Sequence, residues 1–307
     1  MKQNNLLGSI ILITASVIWG LAFVAQSGAA GLVPPFTFNA LRSIIGAGAL
    51  YVFYLLTNCK HKNTFFPTDT KDRRVFYLAS AVCGVCLSIS VNFQQFGITA
   101  YPKGVASEAR SGFITALYVI LVPIFSAFSH KKVHGFVWVG VIIAIFGIYM
   151  LCFSDNISNI YIGDLLVLLC AISFSFHIMA VDKYVGVTGG VRLSIVQFSI
   201  CAVVSAVLAL IFELEGLNLS NIFSAAPQIL YLGIMSSAVA YTLQIVGQKY
   251  AEPAVASISM SLESVFAALG GWMISGNTLT LREIFGCALV FAAIIIAQLP
   301  QLSKKGA

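Results

Sequence analysis

Charge is scarce in this sequence: only 9% of its 307 residues are Asp, Glu, Lys or Arg, against about 25% in an ordinary soluble domain. Long polar stretches are missing too. No separator between apolar runs exceeds about 17 residues, which leaves no room for a soluble domain. A hydrophobic content of 59% and a mean hydropathy of +0.95 are more than a compact globule could hide behind a polar exterior. A soluble enzyme, a nucleic-acid binder and a disordered chain are therefore excluded. Chemistry-bearing motifs are absent as well. There is no HExxH, no GxSG and no GxGD, since Gly163-Asp164 lacks the preceding glycine, and there is no glycine loop for a nucleotide. Neither a selectivity filter nor a charged ring points to a channel. No cofactor and no metal are expected.

What fills the sequence is apolar runs. A spanning helix needs about 20 mainly apolar residues, and ten runs qualify, at about 8–28, 35–57, 74–97, 104–128, 135–153, 163–182, 191–213, 227–249, 254–274 and 281–299. They are long and continuous, not alternating, which favours helices over a barrel. With a cytoplasmic N-terminus, the inside segments hold Lys2, Lys60, Lys62, Lys71, Arg73, Arg74, Lys131, Lys132, Lys183, Arg192, Lys249, Lys304 and Lys305. Only Lys103 and Arg282 fall outside, while Arg42 and Arg110 lie within spans. That imbalance predicts both termini in the cytoplasm and a multi-pass protein of the cytoplasmic (inner) membrane. Lys2 and Ser27-Gly28-Ala29 give the first run a passable signal-peptide pattern. Its full spanning length and its counterpart later in the chain favour a retained span. Cys83-Gly-Val-Cys86 has metal spacing but lies mid-span without a second ligand pair, so packing by small residues is the reading.

An internal repeat organises the runs. A shift of 150 aligns Gln94, Gly97, Val105-Ala106-Ser107 and Ser111 with Gln244, Gly247, Val255-Ala256-Ser257 and Ser261. A shift of 155 aligns Gly8 and Gly31 with Gly163 and Gly186, and a shift of 146 aligns Gly140 with Gly286. The expected fold is thus an all-α polytopic membrane protein of ten transmembrane helices, in two five-helix repeats at 1–153 and 154–307. Five is odd, so the second repeat enters the membrane inverted, an arrangement used by alternating-access transporters.

Polar groups inside hydrocarbon are costly and face protein or water. Helical spacing sorts them into stripes: Ser16, Trp19, Phe23 and Gln26 in run 1; Ser88, Asn92, Gln95 and Thr99 in run 3; Glu108, Ser111, Thr115 and Tyr118 in run 4. Ser173 and His177 follow in run 6, Ser237, Tyr241, Gln244 and Gln248 in run 8, and Ser257, Ser261 and Ser264 in run 9. One reading is a shared cavity with aromatic walls and a few hydrogen-bonding groups. The other is glue between helices, which suits the individual serines better. A lone intramembrane His177 is more often a packing histidine than a proton relay.

Four charged residues are candidates for coupling or ion pairing. Glu263 lies near mid-membrane, where it could carry a proton or face a cationic substrate. On a continuous helix it sits about 120° from the Ser257/Ser261/Ser264 stripe, which turns it toward a neighbouring helix. Glu108 and Arg110, two residues apart, do not face each other. Glu108 with Arg42 is the expected structural ion pair, with a substrate-carboxylate site on an arginine as the alternative.

In order along the chain, Trp19-Gly20, Phe23, Gln26, Pro35-Phe36, Asn39, Arg42, Gln94-Gln95-Phe96-Gly97, Ser111 to Thr115, Leu117-Tyr118-Val119 and Leu121-Val122-Pro123 form one set. Gly163-Asp164, the Ala171 to Ile178 segment, Gln197, Ser261-Leu262-Glu263 and Val265 to Ala268 form the second. Together these residues resemble the EamA-like family of the drug/metabolite transporter superfamily over nearly the whole length. The resemblance implies ten helices in inverted repeats, alternating access, and a cavity drawn from helices 1, 3, 4, 6, 8 and 9. It also implies transport of amino acids, their metabolites, amines or drugs, often outward. Ser264 stands where the family has proline, Asn277 stands where a glutamate is common, and Glu108 has no family counterpart.

The expected function is a secondary transporter of a small organic solute, an amino acid or related metabolite, with export favoured. A carrier for organic cations, amines or drugs, coupled to protons, is the alternative. Trp19, Phe23, Tyr118 and Tyr241 would supply apolar and cation–π contact. Gln26, Asn92, Gln95, Ser111, Thr115, His177, Gln244 and Ser261 would orient the solute, and Glu108, Glu263, Arg42 and Arg110 are the charged candidates. The expected partners are the solute and the lipid bilayer, with no nucleic acid, as a monomer or homodimer.

Overall fold

The computed structural model describes residues 5–58, 65–102, 105, 107–129, 133–152, 160–275 and 280–303. Lys2, Cys59, Lys60, Lys62, Lys103, Lys131, Lys132, Asn277, Lys304 and Lys305 lie outside the described residues. All regular structure within them is helical. Three continuous helices come first: α1 (Asn5–Ala29), α2 (Pro35–Asn58) and α3 (Thr70–Thr99). The fourth apolar run is divided into α4 (Ser107–Thr115) and α5 (Tyr118–Phe128), followed by α6 (Gly135–Cys152), α7 (Ile162–Thr188) and α8 (Gly190–Phe212). A short α9 (Leu219–Ser224) leads into the eighth run, built from α10 (Ala226–Tyr231), a π-helical stretch (Leu232–Ala240) and α11 (Tyr241–Gln248). The ninth run is divided into α12 (Pro253–Met260) and α13 (Glu263–Ser275), and α14 (Leu281–Ser303) closes the bundle. Among the described residues eight helices are long and apolar enough to cross a membrane, and Gly135–Met150 and Ile284–Ala297 are shorter apolar helices. The molecule is a multi-pass membrane protein.

Local chemistry sets the helix ends. Pro35 opens α2 and Pro253 opens α12, at positions where a missing N–H removes no helical bond. Asp69 caps α3 by accepting from the N–H groups of Lys71 at 2.9 Å and Asp72 at 3.1 Å. The carboxylate of Asp164 reaches back to the Tyr161 N–H at 2.8 Å at the start of α7. One residue, Gly189, separates α7 from α8, and its φ of 73° is open to glycine and strained for other residues.

The helices of the two halves interleave. α3 packs along α7, α2 along α8, α6 along α14, and α1 against α11, α12 and α13. Close approach depends on glycine. A Cβ on Gly97 would lie 3.0 Å from the Gly163 carbonyl, and one on Gly247 would lie 3.2 Å from the Gly8 carbonyl. Packing of this kind is what holds helices together where lipid removes the hydrophobic drive. Bulky apolar side chains such as Ile44, Phe53, Leu78, Ile142 and Phe146 cover the outside, as a bilayer requires.

Candidate functional site

Residues from both halves meet around a central cavity. α1 contributes Trp19, Ala22, Phe23 and Gln26, a spacing that keeps all four on one helical face. Arg42 comes from α2, Gln94 from α3, and Phe174 and Ile178 from α7. Ser236 comes from the π-helical stretch, and Tyr241 and Gln244 from α11. The remaining wall is made at the two helix breaks. Thr115 and Tyr118 flank the break between α4 and α5, and Met260 and Glu263 flank that between α12 and α13.

Each break is a tight turn. Leu117 N–H bonds to the Ile114 carbonyl at 3.2 Å and Ser264 N–H to the Ser261 carbonyl at 3.2 Å, the i to i+3 pattern of a 3₁₀ turn. Ser264 Oγ also donates to the Gly112 carbonyl at 3.1 Å, which ties the two broken helices together. The sequence expectation that Glu263 turns toward a neighbouring helix takes the serine stripe as the cavity face. Ser257, Ser261 and Ser264 are absent from the cavity wall, which is made instead by Met260 and Glu263, three residues apart on one helical face. There the Tyr118 hydroxyl donates to Glu263 Oε1 at 2.9 Å.

The cavity walls are aromatic. Trp19 meets Tyr241 edge-on with centroids 4.9 Å apart, and Phe174 stacks on Tyr241 at 6.1 Å. Buried hydrogen-bonding atoms on the same walls have no partner within the described chain: Trp19 Nε1, Gln26 Oε1, Arg42 Nε, and both side-chain atoms of Gln244. Such atoms are costly to bury unpaired. The open volume for a water-sized sphere is about 30 Å³, room for a few waters and far below the ~300–1,000 Å³ of an organic-ligand pocket.

The other sequence candidates lie elsewhere. Asn92 joins α2, α3 and α8, accepting from Asn39 at 3.0 Å and donating to Ser205 Oγ at 3.1 Å. Gln95 is fully buried beside the cavity-lining Gln94 but off its wall. His177 bonds through Nε2 to Gln197 Oε1 at 3.2 Å, the arrangement of a packing histidine. Ser261 Oγ returns to the Ile258 carbonyl at 2.8 Å, and Ser111 lies against the Tyr101 hydroxyl. The expected Glu108–Arg42 pair does not form. Glu108 Oε2 instead accepts from Ser27 at 3.1 Å and Ser107 at 3.3 Å, on the wall of a separate groove of about 510 Å³.

Arg110 pairs with a residue absent from the candidate set. Its Nε and Nη2 reach Asp164 Oδ1 and Oδ2 at 2.5 and 2.7 Å, a two-pronged fit of guanidinium to carboxylate. Its guanidinium also lies 4.9 Å from the Tyr161 ring centroid. Tyr101 donates to the same carboxylate at 2.9 Å. Burial, then the bond to Asp164, hold the Tyr101 hydroxyl above its ordinary pKa, so it remains a donor. A second distant contact joins α8 to α2: the carboxylate of Glu213 at the end of α8 accepts from Phe36 N–H at 2.9 Å and Thr37 N–H at 2.7 Å. That places a negative charge at the positive end of the α2 dipole. The sequence signal for Asp164 was its place in the Gly163-Asp164 pair of the family resemblance. Phe174 and Ile178 lie in the Ala171 to Ile178 segment of the family resemblance, and Met260 carried no signal beyond apolarity.

Comparison with known proteins decides the lineage. The model of the EamA-like transporter family matches residues 6–153 and 161–298. The chain belongs to that family. It is 28% identical over 297 residues to an uncharacterized transporter of Archaeoglobus fulgidus, covering 96% of this chain and 87% of the relative. It is 26% identical over 314 residues to the uncharacterized transporter YwfM of Bacillus subtilis, covering 100% of this chain and 98% of that one. A protein crystal structure superposes with a TM-score of 0.76 at 19% identity, over 95% of this chain and 98% of that one, a likeness of fold. This EamA-like protein is a membrane transporter.

Proposed function

We propose that this EamA-like chain is a secondary carrier of ten transmembrane helices in two inverted repeats. It moves a small organic solute, an amino acid or related metabolite, outward across the cytoplasmic membrane by alternating access. The carrying observation is the central cavity, on whose wall Trp19 Nε1, Gln26 Oε1, Arg42 Nε and the Gln244 amide have no partner among the described residues, and whose residues come from both halves. The repeat supports the reading. Gly97 and Gly247, aligned by the sequence repeat, each pack on the other aligned pair, Gly163 and Gly8. The aligned Gln94 and Gln244 both reach the cavity. Helix breaks fall in the fourth helix of each half, and broken helices at a midplane site are a carrier device. Both termini lie on the cytoplasmic side, where the loop lysines and arginines concentrate. A cavity of about 30 Å³ admits an organic solute only after helices separate, which is what rocking of one half against the other accomplishes.

Counterflow in proteoliposomes tests this. A preloaded solute should accelerate saturable uptake of its labelled form; flux that rises linearly with concentration and ignores the preload would identify a pore. A proton-coupled carrier of amines or drugs is the second reading, favoured by Glu263 on the cavity wall. In that case uptake varies with pH, and Glu263→Gln flattens the profile. A mutant profile identical to the parent removes Glu263 from coupling.

A further inference from the structure

The solute class is open between compounds that carry a carboxylate and compounds that carry only a cation. The charged wall residues bear on that choice. Arg42 is 2% exposed, sits in the interior of a membrane bundle and lines the cavity. No carboxylate lies within 4.0 Å of it among the described residues, where the recorded ion pair is Arg110–Asp164. Its Nε has no acceptor. The Tyr241 phenol and the thiols of Cys201 and Cys170 lie close enough to act on it electrostatically, and none of the three carries charge near neutrality; Glu263 lines the same cavity but forms no ion pair with it. A buried guanidinium is normally paired, and the other in-span arginine of this chain is.

We propose that Arg42 anchors a carboxylate of the transported solute, and that solutes lacking that group are poor substrates. The inference rests on the carrier reading above and narrows its substrate class. Charge count favours a carboxylate over a phosphate: the described cavity wall holds a single cationic side chain, enough for one negative charge, and its one acidic side chain is Glu263. A zwitterion fits both, its carboxylate on Arg42 and its ammonium toward Glu263, and leaves the charge of the cavity unchanged. Gln244 and Trp19 Nε1 offer further hydrogen bonds, and the ring of Phe23 offers apolar contact to a side chain.

The test uses the full chain in nanodiscs, with binding measured for L-leucine, L-phenylalanine, L-methionine and L-threonine beside their methyl esters. The ester removes the negative charge and keeps the amine. In the parent protein at least one acid should bind about ten-fold or more tighter than its ester, the size expected for a charge-assisted bond. Arg42→Gln should abolish the difference by weakening the acid alone, and Arg42→Lys should retain part of it. Equal binding of acids and esters in the parent overturns the anchor, as does an acid preference that survives in Arg42→Gln, or no binding by any acid. The parent comparison needs no mutant to fold. Counterflow of the same compounds separates the two readings. Preference lost in Arg42→Gln without counterflow leaves the anchor standing and removes transport; counterflow that favours the esters does the reverse.

Discussion

Two arginines inside this apolar bundle have opposite surroundings. Arg110 has its fork filled by Asp164 at 2.5 and 2.7 Å, with Tyr101 and Tyr161 completing the cluster. Arg42, more deeply buried, has no carboxylate at all within 4.0 Å among the described residues. A paired charge near the helix ends fastens α4 of the first half to α7 of the second. An unpaired charge on a cavity wall adds nothing to cohesion and is disposed toward something outside the chain. The same contrast runs through the glutamates: Glu213 is fully engaged by the start of α2, whereas Glu263 holds one hydroxyl and faces the cavity.

Mutants can break this comparison. The largest stability loss is expected for Asp164→Asn, which strands Arg110 and removes two charge-assisted bonds, at about 2 kcal/mol. A lower thermal unfolding midpoint in nanodiscs would register it, and an Arg110→Gln partner mutation should recover part of the loss. Unchanged unfolding would show the pair to be an ordinary surface bridge. Glu213→Gln should cost less, about 0.5–1 kcal/mol, because the amide still accepts a hydrogen bond but forfeits the dipole term. Smallest is Arg42→Gln, expected within about 1 kcal/mol of the parent or more stable, since it removes a buried charge without a partner. A loss there as large as that of Asp164→Asn would mean that Arg42 is structural after all.

Much of the site was legible because α1 is one unbroken helix. Trp19, Phe23 and Gln26 follow its 3.6-residue period, and their shared face could be read from spacing alone. Legibility was poorer in run 9. The serine stripe read as the cavity face, whereas the wall is made by Met260 and Glu263 on another face of the same run. Adjacent positions also defeated the pattern: the stripe in run 3 pointed to Gln95, whereas its neighbour Gln94 lines the cavity. Partners far apart in sequence were out of reach. Asp164 is 54 positions from Arg110, and Ser205 is 113 from Asn92, so no local rule joins either pair.

Hydropathy and length by themselves determined that this protein lives in a bilayer as a bundle of helices, because hydrocarbon tolerates no unsatisfied backbone and helices satisfy their own. The spacing that aligns Gln94 with Gln244 and Gly97 with Gly247 is likewise read from the sequence. Which polar side chains would bond to one another, and which would be left facing the cavity, was decided only by tertiary structure. Pairing depends on distances between helices, and those are set by how closely glycines such as Gly97 and Gly163 let the backbones approach.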